Sequence, residues 1–188
     1  MAATLSDRVV IVADSRALQE HLVVAQVKKI AVVGQTLVGF SGALGHCQQY
    51  VHEMEMGQQQ GEAILSAQFH RKVQGAIYGL MPIPGVDDEE GGMCGCPEIS
   101  LTMAAGTKLF LLSAEEIPME VETATIGSGQ EVANAMLYGR DMSQLSVQTA
   151  VTELVEIGQF VARTNTTVGG PWYWADTKEL AVWKLPAN

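Results

Sequence analysis

Two groups of residues in this chain could do chemistry together. The apolar run Val9-Val10-Ile11-Val12-Ala13 ends in Asp14-Ser15-Arg16, and Val27-Lys28-Lys29-Ile30 follows shortly after. If these are two neighbouring strands, Asp14 and Lys29 meet at one sheet end. A buried lysine beside a carboxylate is a means of tuning an amine's pKa. The alternative is a strand end carrying two solvated charges, which does no chemistry.

Other candidates are weaker. Cys94 and Cys96 form a Cys-x-Cys pair that could hold a soft metal or be redox-active. Only Cys47 and four histidines could complete a metal set, and their spacing shows no ligand pattern, so no metal and no cofactor are expected. Gly127-Ser128-Gly129 lacks both the dinucleotide-binding glycine pattern and the lysine of a phosphate loop. Small residues there also suit a tight strand-to-helix turn.

The rest of the chain must position these groups. Its 188 residues fit one domain with a sizeable core. An apolar fraction of 47% and a charged fraction of 17% suit a globular protein with much buried surface. No apolar run approaches the roughly 18 residues of a membrane span, and the N-terminus does not read as a signal peptide. The net charge of -10 argues against nucleic acid or an anionic membrane as partner. Three cysteines, an odd number, fit a reducing compartment better than a secreted disulfide scaffold.

Period and punctuation give the elements. Ala2–Leu5 and Val9–Ala13 form a hairpin around Ser6-Asp7-Arg8, with a very short first arm. Leu22–Ala25, Val27–Val33 and Thr36–Gly42 are further strands, apolar enough to be covered on both faces. Leu44, Cys47, Val51 and Met54 have helical spacing up to a break at Gly57–Gly61, and a second helix face runs from Ile64 to Leu80. Residues 81–98, acidic and rich in Gly and Pro, form a loop insertion in the domain. Strands follow at Ile99–Ala105, Lys108–Leu112 and Glu120–Ile126. A short helix has the face Val132, Ala135 and Met136. A longer one, capped by Ser146, has the stripe Val147, Val151, Leu154, Gly158 and Val161. Trp172–Trp174 and Leu180–Trp183 make a last hairpin. This order predicts an α+β fold, a four-layer αββα sandwich of two mainly antiparallel sheets in a single domain over residues 1–188.

Several stretches together resemble a proteasome β-type subunit of the N-terminal-nucleophile hydrolase superfamily. They are Val9–Ala17, Val27–Ile30, Val38–Gly42, Leu109–Leu112, Ala124–Gly129 and Gly169-Gly170, in the family's order and at nearly its spacing. The resemblance implies the αββα sandwich and a closed oligomer such as a ring. It also implies an N-terminal threonine nucleophile with its own α-amine as base. Asp14 and Lys29 match the family's acid and lysine. Gly42 matches the glycine whose N–H stabilises the oxyanion, and Ser128 the serine near the amine. Phe40 falls where the substrate side-chain pocket is shaped.

The departures from the family bear on function. No threonine stands at the matching distance before Asp14. Thr4 is the nearest candidate nucleophile, short by about six residues, or roughly 20 Å of extended chain. Asn165 and Val168 stand where many members carry an acid and a serine. The expectation is a subunit that has lost catalysis and serves as a structural or assembly component, with copies of itself or related subunits as partners, in the cytoplasm or a virion. Two alternatives are an active threonine endopeptidase, its nucleophile exposed by processing and peptide its substrate, and another amidase or binding module of the same fold, using for example Cys94 or Cys96.

Overall fold

A computed structural model describes residues 1–19, 22–79, 99–112 and 117–186. The chain is α+β, with four helices and antiparallel sheets among the described residues. The expected loop at 81–98, with Cys94 and Cys96, lies outside the described residues.

The first sheet is built from the two ends of the sequence. Its strands are β1 (Ala2–Thr4), β2 (Val9–Ala13), β10 (Thr123–Ala124), β11 (Tyr173–Asp176) and β12 (Val182–Lys184), in the order β10-β1-β2-β11-β12. The second sheet uses the middle of the chain: β5 (Ile30–Val33), β6 (Thr36–Gly42), β7 (Ile99–Ala105), β8 (Lys108–Leu112) and β9 (Met119–Val121), in sequential order. A separate hairpin pairs β3 (Arg16–Gln19) with β4 (Leu22–Gln26).

Strand β2 shows why these strands are apolar throughout. Side chains alternate across a strand, so its two faces meet different layers. Val9 and Ile11 pack with Ile30, Leu37, Ala104 and Leu109 of the second sheet. Val10 and Val12 pack instead with Ala133, Leu137, Val151, Leu154 and Val161, from α3 (Gln130–Leu137) and α4 (Val147–Thr164). On the far side of the second sheet, Val38, Phe40, Leu101 and Met103 meet Tyr50, Met54, Phe69 and Ile77 of α1 (Leu44–Gln59) and α2 (Ala67–Gly79). Both faces of each five-stranded sheet are therefore covered.

The structure corrects several expectations. Gly57 lies inside α1, whose break comes after Gln59, because the glycine leaves room for the Phe69 ring. The short helix α3 buries Ala133 and Leu137, while Val132 is exposed. The expected strand Glu120–Ile126 is two strands: β9 pairs with β8, and β10 pairs with β1. The chain changes sheets at Glu122, whose carbonyl accepts from Thr4 N at 2.8 Å. The expected strand Val27–Val33 begins only at Ile30, so Lys29 precedes it. The stripe on α4 is as expected, and Ser146 Oγ caps that helix by accepting from Thr149 N.

One buried polar pair lies in the helical layer. His70 is 1% exposed and shares a 2.7 Å hydrogen bond between its Nδ1 and the Tyr50 hydroxyl. Burial pushes the imidazole down to about 4, so it is neutral at pH 7.

Candidate functional site

Asp14 and Lys29 do meet, though they do not share a sheet end. Asp14 follows β2 of the first sheet, and Lys29 precedes β5 of the second. The strands stack face to face, so the pair spans two sheets. Lys29 Nζ donates to Asp14 Oδ1 at 2.9 Å, and the side chains are 19% and 14% exposed, respectively. Asp14 Oδ2 accepts from Arg16 N and Gly169 N, each at 3.1 Å. Three donors thus hold one carboxylate, which ties together β2, the start of β5 and the loop after α4.

The loop after α4 is fixed from both sides. The Arg16 guanidinium donates to the carbonyls of Thr166 and Val168. Asn165 Nδ2 donates to Ser128 O at 3.0 Å, and its Oδ1 accepts from Thr167 N at 3.0 Å. The Ser128 hydroxyl hydrogen-bonds the Thr167 hydroxyl, which in turn donates to Asn165 Oδ1. Asn165 therefore organises the loop, and Thr167 supplies a hydroxyl where Val168 has none.

A cavity of about 80 Å³ opens here, with room for a few water molecules. Asp14, Lys29, Phe40, Ser128, Thr167 and Trp172 line it, along with Met1. Gly127, with φ +93, makes the turn that brings Ser128 in; a side chain there would strike the Ser41 hydroxyl. Gly42 ends β6 with φ +119 and is exposed; its neighbours Phe40 and Ser41 line the cavity, and Gly42 does not.

Thr4 is not brought to this pair. It sits opposite Val9, at the turn end of the hairpin, and its hydroxyl is buried without a partner among the described residues. Three residues of strand, about 10 Å, separate it from Met1. Met1, not Thr4, lines the cavity with Asp14 and Lys29. The register Ala2–Ile11 and Ala3–Val10 continues to Met1, whose amine donates to Val12 O and whose carbonyl accepts from Val12 N, both at 2.8 Å. The tight turn Leu5–Arg8, closed by Leu5 N to Arg8 O at 2.7 Å, shortens the hairpin enough for this.

The Met1 amine is held down to about 6. Burial is the main cause; the ammonium of Lys29 adds to it, and the carboxylate of Asp14 opposes it. At pH 7 the group is therefore mostly a neutral amine. The Met1 side chain is anchored as well, because its Cε and the Trp172 ring fill the space over Gly158. Gly158→Ala should force both aside, at a cost of about 1–3 kcal/mol. Urea unfolding followed by tryptophan fluorescence checks this; an unchanged midpoint would contradict the packing described.

No protein-family model matches the chain, and no curated protein matches it.

Cys47 is the one cysteine among the described residues. It is fully buried in α1, its thiol donates to Ser41 O at 3.5 Å, and burial pushes it up to about 11. Such a thiol is a poor nucleophile. Among the described residues no three His, Cys, Asp or Glu side chains gather as a metal site. No described helix is long and apolar enough to cross a membrane.

Sequence reasoning passed over Met1 and Thr167. The signal for Met1 was the hairpin register, counted outward from the Ser6-Asp7-Arg8 turn. For Thr167 it was the run Asn165-Thr166-Thr167 ahead of the two glycines.

Proposed function

We propose that this chain is a proteasome-like subunit of the N-terminal-nucleophile hydrolase fold that builds an assembly and does not cut peptides. The stacking of helices, two sheets and helices supports the four-layer αββα reading. The observation that carries the functional reading is the place of Thr4, opposite Val9 at the turn end of the hairpin and not among the residues that line the cavity with Asp14 and Lys29. The acid and the lysine stand together, but the threonine they would serve does not stand beside them.

Asp14 and Lys29 then have a structural role. They join the two sheets to the loop after α4, as their hydrogen bonds show. The partners under this reading are further copies of the chain or related subunits in a closed ring or shell. Exposed apolar side chains on the outer helices and strands, Phe160, Val132 and Met119 among them, offer contact surface on an otherwise acidic molecule.

Native mass spectrometry and a fluorogenic peptide assay on one sample test this. The expected result is a closed oligomer with no turnover above the buffer blank. Peptide turnover that disappears in Lys29→Ala, or a monomer at all concentrations, would overturn it.

A further inference from the structure

Helix α4 buries one stripe against the first sheet and carries another on its outer side. Thr152, Glu156, Phe160 and Arg163 recur at steps of four and three residues, and all are exposed, Phe160 by 44%. A large aromatic thus stands in the open between an acid and a base. Among the described residues neither Glu156 nor Arg163 has an ion pair. We infer that this stripe is a two-fold contact with a second copy of the chain. In it the two α4 helices lie antiparallel, with their Phe160 rings together at the centre. The inference rests on the assembly reading and names one of its contacts.

The stripe is complementary to itself in that arrangement. At about 1.5 Å of rise per residue, Glu156 stands about 6 Å before Phe160 along the helix and Arg163 about 4.5 Å after it. At about 100° of turn per residue, both come round to the same flank of Phe160, by about 40° and 60°. A two-fold axis between the helices, perpendicular to the plane that holds them, reverses their direction and keeps that flank. Glu156 of each copy then comes level with Arg163 of the other, so one contact closes two ion pairs. A parallel pair of helices would set Glu156 on Glu156 and Arg163 on Arg163. Opposite charges at the rim therefore fix the orientation, on a molecule whose net charge of -10 otherwise repels its own copies.

The other flank of α4 belongs to α3. A side chain on Gly129, the N-cap of α3, would strike Val161, and Arg140, just past its end, pairs with Glu153 at 3.2 Å. The two helices therefore run antiparallel side by side, and Val132 is exposed on α3. The contact has aromatic rings at its centre and charges at its edge, as protein interfaces do.

Native mass spectrometry of charge-reversed variants tests this, with circular dichroism to follow the fold. Arg163→Glu and Glu156→Arg should each halve the mass of the assembly, because each sets like charges together at both ends of the contact. Mixing these two variants one to one should restore the parent mass, since each then supplies the charge the other lacks. The double variant Glu156→Arg, Arg163→Glu should assemble by itself. Phe160→Asp should halve the mass, and mixing with either single variant should not repair it. A mass unchanged in both single variants would overturn the contact and leave the assembly reading standing. A loss that neither mixing nor the double variant repairs would overturn it as well. A parent that is a monomer at all concentrations would overturn the assembly reading itself, and the contact with it.

Discussion

Replacing Asp14 by alanine lowers the unfolding free energy by about 3 kcal/mol. The carboxylate has three partners: Lys29 Nζ and the backbone amides of Arg16 and Gly169. Alanine leaves all three donors without an acceptor in a place where water reaches them poorly. Breaking a buried ion pair from one side costs about 3–5 kcal/mol, and each stranded amide adds to that, while the partial exposure of this pair subtracts. For a chain of this size the loss corresponds to a melting temperature lower by roughly 6–12 °C. Asp14→Asn keeps an oxygen for the amides and should cost about half as much. Lys29→Met removes the charge but leaves the carboxylate its two amide donors, and should cost least, about 1 kcal/mol. The double variant Asp14→Ala, Lys29→Met should be more stable than the sum of the single losses predicts, because the stranded ammonium is gone. Urea denaturation of the four proteins measures this. An Asp14→Ala variant within 1 kcal/mol of the parent would show that the carboxylate does not hold the two sheets together.

The second large effect is on pH. The Met1 amine titrates near 8.0 in the unfolded chain and about 6 in the folded one. Between those values the unfolded state binds more protons, so stability rises with pH. The gain is complete above pH 8 and lost as pH falls through 6, and amounts to about 2–3 kcal/mol. His70 acts in the same direction one window lower. Its folded value is about 4 against 6.5 unfolded, so stability rises across that interval too, by about 3 kcal/mol. The expected curve climbs steadily from pH 4 to 8. His70→Phe should flatten the lower half only, and acetylation of the terminal amine the upper half only. A parent curve already flat between pH 6 and 8 would mean that the Met1 amine is not buried as described.

How much of this was legible in the sequence differs from element to element. The unbroken apolar run Val9–Ala13 and the stripe on α4 are direct consequences of burial, and they read correctly. The meeting of Asp14 with Lys29 was legible from residue types, but its geometry was not. Spacing along a chain does not say which sheet a strand joins, and β2 and β5 join different ones. The same ignorance made one strand of Glu120–Ile126, since β propensity is blind to a change of partner at Glu122. Thr4 drew attention because hydroxyls do chemistry, yet the turn at Leu5–Arg8 leaves it at the wrong end of the hairpin. Met1 drew none because a thioether does not.

The division of the two sheets also sets an order of events. Strands β5 to β9 and both helices over them come from one uninterrupted stretch, residues 30–121, and each strand pairs with its neighbour in sequence. The other sheet pairs β2 with β11 and β1 with β10, joining residues from opposite ends of the chain. On a ribosome the first strands emerge long before their partners exist. The middle layer can therefore form while β1 and β2 wait, and the long loop must close before they dock. The cavity needs Met1, Asp14, Lys29 and the loop at 165–169 all at once, which makes it one of the last parts of the molecule to come into being.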